Sequence, residues 1–331
     1  MSLFKNIAVI GGGSWATAIV KMLSENQESV SWWMRNEDNI THIKRYGNNP
    51  NYISAAELFP NKLTIGSDIN AIVEAADCIV LAVPSAFLAT TLESLSVSIK
   101  DKFVVSAIKG IVPENNTIIG DYLYENYYIP YENIGVITGP CHAEEVALER
   151  LSYLTVACED IKKAEWFAEQ ITCRYIKTNV SEDIYGTEIA SVLKNVVAIA
   201  SGVCHSLGYG DNFQAVLASN AIREIKRFVD TVRPIKRDIK ESAYLGDLLV
   251  TVYSQFSRNR TFGNMIGKGY SIKSVQLEMN MVAEGYYAVK CIKEINEQYK
   301  IDMPITKAVY NILYEKISPE IEMRLLSENL N

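Results

Sequence analysis

GTEIASVLKNVVAIASGVCHSLGYG, residues 186–210, is a run of apolar and small residues long enough for a substantial helix. Its apolar positions fall on nearly every helical face, which is the composition of a helix buried all round and not of an amphipathic surface one. In its middle stands Lys194. An ammonium buried without a partner is costly, or it gives up its proton, so this lysine needs either a carboxylate or a chemical task. A snorkelling lysine or a purely structural ion pair would satisfy the same composition, and the flanking sequence has to decide.

Upstream of it, strand-like runs alternate with helical ones. KNIAVI (5–10) leads straight into GGGSWATAIVKMLSEN (11–26), which places Gly11-x-Gly13-x-x-Ala16 between a strand and a helix. In that setting the glycines form a dinucleotide-binding fingerprint. Gly11 permits the tight turn, and Gly13 lets a pyrophosphate approach the amides of the helix N-terminus, where the macrodipole favours anions. A second strand, ESVSWW (28–33), ends near Arg35. No acid stands at the usual ribose position before Glu37 and Asp38, and an arginine there accepts a 2′-phosphate, so NADP is permitted beside NAD.

LTIGSD (63–68) predicts a strand and then a helix capped by Ser67 or Asp68. DCIVLAV (77–83) and FVVSAIKG (103–110) read as parallel strands buried on both faces, the second delivering Lys109 to the carboxyl edge where open α/β sheets bind ligands. NIGVITGPCHAEEVALER (133–150) repeats strand, turn and helix, with Pro140 expected in the first helical turn and Glu144 and Glu145 complementing the dipole. YLTVA (153–157) and CRYIK (173–177) then complete a sheet of about eight strands.

From Ser181 the pattern is helical nearly throughout. The fold expected is therefore α/β, with a Rossmann-like doubly wound domain over residues 1–180 and an all-α substrate and catalytic domain over 181–331. Such a pairing suggests hydride transfer, with polar groups for the substrate contributed by both halves. Asp247, between Gly246 and the apolar run LLVTV, is a candidate partner for Lys194, with a helix cap as the alternative. Ser257-Arg258-Asn259-Arg260 places four hydrogen-bonding side chains ahead of a glycine-punctuated turn, a group suited to a phosphate or carboxylate.

Composition narrows the classes. With 331 residues, 48% of them hydrophobic, the chain can bury two sizeable cores. A net charge of −7 argues against nucleic acid as a partner. The six cysteines form no C-x-x-C pair and the three histidines are dispersed, so neither a metal site nor a disulfide framework is expected, and the reading is a reducing cytoplasm. MSLFKN lacks the regions of a signal peptide, and no apolar stretch is expected to reach the ~18 residues of a membrane span.

Taken in order, GGGSWATA, AIKG, TGPCHAEEVA, LKNVVAIASGV with LGYGDN, LGDLLVT, SRNRTFGNMIGKG, VAEGYYAVK and MPIT resemble the NAD(P)-dependent glycerol-3-phosphate dehydrogenases of the bacterial type over almost the whole chain. The resemblance implies interconversion of dihydroxyacetone phosphate and sn-glycerol 3-phosphate with NAD or NADP, feeding glycerophospholipid synthesis, and leaves room for a homodimer. It implies Lys194 as the catalytic proton donor and acceptor, with Lys109 and Asp247 completing the polar centre. Gly139, Cys141, Ser257, Arg258 and Asn259 would join these three on the substrate. Gly11, Gly13, Ser14, Trp15, Arg35, Lys109, Ala143, Arg258, Val282 and Glu284 would contact the dinucleotide. Cys141 stands where the family usually has Ser or Thr, Ser191-Val192 replace a Gly-Ala pair, and Ser219-Asn220-Ala221 replace Thr-Arg-Gly. Two other readings share these elements: a β-hydroxyacid dehydrogenase acting on a carboxylate, and a nucleotide-binding protein without catalysis. The second would predict a disrupted reactive set, whereas Lys109, Lys194, Asp247 and Arg258 are all present.

Overall fold

Short β-branched and aliphatic runs between polar boundaries become the strands of this chain. In the computed structural model, which describes residues 3–279 and 283–331, they are β1 (Ile7–Ile10), β2 (Val30–Trp33), β3 (Leu63–Gly66), β4 (Cys78–Leu81) and β5 (Phe103–Ser106). A small hairpin, β6 (Ile111–Val112) and β7 (Thr117–Ile118), precedes β8 (Ile134–Thr138), β9 (Ser152–Cys158) and β10 (Ile176–Ser181). The strands other than the hairpin form one eight-stranded sheet in the order β10-β9-β8-β5-β4-β1-β2-β3. All its pairings are parallel except β8 with β9. Chain order reverses about β1, which pairs with β2 on one side and β4 on the other. A ligand is bound outside the carboxyl ends of strands at such a reversal.

The helices associated with this sheet are α1 (Ser14–Asn26), α2 (Glu37–Tyr46), α3 (Ile69–Glu74), α4 (Leu88–Glu93), α5 (Ile119–Tyr127), α6 (Ala143–Ala147) and α7 (Ile161–Ile171). Asp68, one of the two residues expected to do so, caps α3 by accepting from the amides of Asn70 and Ala71. Pro140 does not open α6. His142 is its N-cap, so Pro140 lies in the turn before it, while Glu144 and Glu145 do occupy the first turn.

The remaining helices are α8 (Ile184–Ser206), α9 (Asp211–Val232), α10 (Asp247–Tyr253), α11 (Arg258–Gly267), α12 (Ile272–Glu278), α13 (Glu284–Tyr299), α14 (Pro304–Leu313) and α15 (Pro319–Asn329). The chain divides into two compact units, residues 1–108 with 119–184, and residues 109–118 with 185–331. The hairpin, which a single boundary near residue 180 would leave with the sheet, thus belongs to the helical unit. The physical reason is burial: Ile111 and Ile118 sit in the same apolar core as Leu193, Val196 and Val197 of α8.

Within the helical unit α8 is packed against its neighbours backbone to backbone. A Cβ added at Gly202 would meet Arg260 O at 2.0 Å, one at Gly263 would meet Ile199 O at 2.0 Å, and one at Gly285 would meet Asn195 O at 2.7 Å. Glycine is what lets α11 and α13 approach so closely. The expectation that no stretch is long and apolar enough to span a membrane needs correction on this helix. Ile184–Ser206 passes by length and composition, but 89% of its apolar window is buried, as in the core helix of a globular protein.

Candidate active site

In the helical unit Lys194 is 5% exposed and Asp247 1% exposed. The Lys194 Nζ donates to Asp247 Oδ1 in a close ion pair. The other oxygen of the same carboxylate, Oδ2, lies 3.8 Å from Lys109 Nζ. One buried carboxylate therefore serves two ammonium groups, and the three side chains carry net positive charge when both lysines are protonated. Burial pulls the Lys194 pKa down to about 7; Asp247 opposes this and the neighbouring Lys109 charge reinforces it. An ammonium so placed can give up or accept a proton near neutral pH.

Each member is positioned by local structure. Lys194 projects from the middle of α8. Asp247 is the first residue of α10 and follows directly on a π-helical turn, Ser242–Gly246, a distortion that recurs where helices carry chemistry. Its backbone carbonyl accepts from Thr251 Oγ1 at 2.6 Å. The backbone at Lys109 is held by Asn195, whose Nδ2 donates to the Lys109 carbonyl at 2.9 Å. Neither Thr251 nor Asn195 stands out in the sequence as a site residue. Asn195 directly follows Lys194, and the buried Thr187, Glu188, Ser191, Lys194 and Asn195 recur at helical spacing along α8, a polar stripe that the sequence could have offered; only the tertiary contact shows what Asn195 reaches.

Of the Ser257–Asn259 group, the structure commits two members to the scaffold. Ser257 is the N-cap of α11, its Oγ accepting from Arg260 N at 3.3 Å. Asn259 Oδ1 accepts from Gly285 N in the first turn of α13 at 2.9 Å, which leaves its amide NH2 as the end available to donate elsewhere. Arg258 opens α11, is half-buried, and forms no ion pair among the described residues. A guanidinium there, at a helix N-terminus, suits an anion. Glu284 opens α13, half-buried. Val282 lies outside the described residues.

In the sheet unit the loop from β1 to α1 has the form expected of the fingerprint. Gly11 has φ +136°, and a Cβ there would stand 2.4 Å from Ala82 O, so no other residue fits. Its carbonyl accepts from Trp32 Nε1 at 2.6 Å. At Gly13, the N-cap of α1, an added Cβ would meet nothing within 4 Å, and the cap residue brings no side chain of its own. An open space at the N-terminus of a helix fits a dinucleotide pyrophosphate. Ser14 and Trp15 form the first turn of α1. Arg35 follows β2 and is exposed; nearby, Glu37 in the first turn of α2 accepts from Ser67 Oγ at 3.1 Å. Gly139 (φ +113°), Cys141 and Ala143 lie together after β8, all buried, with Ala143 as the first residue of α6.

The family model described as NAD-dependent glycerol-3-phosphate dehydrogenase N-terminus matches residues 6–164, and that for the C-terminus matches residues 183–324. The chain belongs to the NAD-dependent glycerol-3-phosphate dehydrogenase family. A glycerol-3-phosphate dehydrogenase (NAD(P)+) of an Exiguobacterium species is 33% identical over 97% of this chain and 94% of its own length. That of Prosthecochloris aestuarii is 35% identical over 93% of each. Among solved structures, the glycerol-3-phosphate dehydrogenase of Coxiella burnetii superposes with a TM-score of 0.89 at 26% identity, over 98% of this chain and 99% of that one. Family membership and the two local geometries agree: a glycine turn open at a helix N-terminus in one unit, and a lysine pair around a buried carboxylate in the other.

Proposed function

We propose that the protein interconverts dihydroxyacetone phosphate and sn-glycerol 3-phosphate with NAD or NADP, in the cytoplasm, providing the glycerol phosphate from which glycerophospholipids are built. The observation that carries this reading, within a family of that activity, is the buried Lys194–Asp247–Lys109 constellation. A spectrophotometric assay of NADH or NADPH oxidation with dihydroxyacetone phosphate tests it directly. Absence of turnover by folded protein with either nucleotide would overturn it.

Gly11, Gly13, Ser14 and Trp15 would hold the pyrophosphate, with Arg35 at the adenosine ribose. The dinucleotide supplies, when bound, the hydride for the carbonyl carbon. Lys194 donates its Nζ proton to the carbonyl oxygen as negative charge develops there, and takes it back in the reverse reaction. Asp247 holds the Lys194 ammonium in place through Oδ1, and Lys109 on Oδ2 keeps that ammonium acidic. Arg258 and the free amide end of Asn259 grip the substrate phosphate, so that binding energy from a non-reacting group orients the carbonyl.

The depressed Lys194 pKa fixes the sign of the pH dependence. Below about 7 Lys194 carries the proton that reduction consumes, so kcat/KM for reduction is level at acid pH and falls as pH rises through that value. Oxidation needs neutral Lys194 and rises through the same value. Lys109→Met removes a like charge and should move both inflections to higher pH. Profiles flat between roughly pH 6 and 9 would detach Lys194 from proton transfer.

Arg35 bears on cofactor choice. Arg35→Ala should weaken NADPH more than NADH in fluorescence titrations, since only NADPH presents a 2′-phosphate. Equal weakening would remove Arg35 from that position.

A further inference from the structure

The GNNPNY segment (47–52) is tied to the glycine turn. Asn49 is fully buried, at 0% exposure. Its Nδ2 donates both hydrogens: to the Gly12 carbonyl at 3.1 Å and to Thr17 Oγ1 at 2.9 Å. Its Oδ1 accepts from Asn51 N at 3.2 Å, so the amide group is bonded at both ends. Thr17 Oγ1 passes the link on by donating to the Gly13 carbonyl at 2.9 Å. The segment is itself anchored, with Asn51 Nδ2 donating to Asn39 Oδ1 at 2.8 Å and Leu58 N to the Gly47 carbonyl at 2.8 Å.

A trans peptide is planar, and its carbonyl and amide hydrogen point in opposite directions. The Gly12 carbonyl shares its plane with the Gly13 N–H, and the Gly13 carbonyl with the Ser14 N–H. Holding the Gly12 carbonyl back on Asn49 therefore turns the Gly13 amide the opposite way, while the Gly13 carbonyl is held by α1 itself, accepting from Thr17 N at 3.0 Å as well as from Thr17 Oγ1. A Cβ built at Gly13, at the hinge of these two peptides, would meet nothing within 4 Å. We propose that Asn49 is a positioning residue for the dinucleotide: anchored on the Thr17 hydroxyl, it holds the Gly12 carbonyl and so fixes the direction of the Gly13 amide that faces the pyrophosphate. The proposal rests on the reading of this turn as the NAD(P) site.

Asn49→Ala leaves the Gly12 carbonyl and the Thr17 hydroxyl without their donor and lets the Gly12–Gly13 peptide rotate, while the Gly13 carbonyl stays on Thr17. NADH, NADPH and ADP-ribose should all bind roughly ten- to a hundredfold more weakly by fluorescence titration or calorimetry, because each carries the pyrophosphate. AMP, which lacks it, should change by less than about threefold. The KM for the dinucleotide should rise while kcat at saturating dinucleotide and the KM for dihydroxyacetone phosphate hold. Thr17→Val should reproduce the loss and Thr17→Ser restore it, and this pair carries the test if Asn49→Ala does not fold. Folded variants that bind ADP-ribose like the parent, or that lose AMP and ADP-ribose in equal measure, would overturn the proposal. A parent protein that binds no NADH would instead refute the reading of the turn.

Discussion

Lys194→Met is expected to lower kcat by roughly 10² to 10⁴-fold, the contribution of proton transfer from a placed side chain. Methionine keeps the length and apolar stem of lysine, so α8 stays packed where it meets α11 and α13. Removing one member of a buried ion pair is ordinarily destabilising because it strands the other. Here Asp247 keeps Lys109 at 3.8 Å from its Oδ2, so the carboxylate is not left alone and the folded state should persist. Dinucleotide affinity should barely change, since the glycine turn belongs to the other unit. A folded variant that binds NADH normally and turns over within about tenfold of the parent would remove Lys194 from the mechanism, and Lys109 would be the group to test next.

Arg258→Ala should raise the KM for dihydroxyacetone phosphate by about 30- to 150-fold. That corresponds to roughly 2 to 3 kcal/mol, the lower part of the range for a truncated charge pair, because Arg258 is only half-buried. The much weaker reaction with unphosphorylated dihydroxyacetone should be little altered, because that substrate has no phosphate to lose. Steady-state kinetics on both substrates decides the matter. Parallel losses would make Arg258 a structural residue or mainly a dinucleotide contact.

These expectations draw unequally on sequence and on structure. That the Lys194 helix is buried follows from composition alone, because apolar residues on every face leave no side for water. Asp247 could be nominated from an acid standing beside an apolar run, although the π-helical turn that aims it has no local signature. The grouping of Lys109 with the helical unit was not legible. A lysine at the end of a buried strand reads as part of the sheet, and what claims it is the burial of Ile111 and Ile118 in a core made from residues far along the chain. Ser257 and Asn259 show a different limit. Hydrogen-bonding capacity groups them with Arg258, and capacity does not reveal that one also serves as a helix cap and the other spends its oxygen on Gly285. Asn49 is not legible in the sequence because buried asparagines in irregular segments follow no period; their role is visible only in which backbone atoms they reach.

The divided helical unit also bears on how the protein is made. The chain passes between the two units at 108/109, 118/119 and 184/185, so the hairpin bearing Lys109 leaves the ribosome well before the helix on which it is buried. Asn195, which holds the Lys109 backbone, lies 86 residues later. At translation rates of about 5–20 residues per second, the hairpin waits roughly 4 to 17 s for that helix to be synthesised, with Ile111 and Ile118 exposed in the meantime. The segment that carries Lys109 is thus one that needs protection during synthesis.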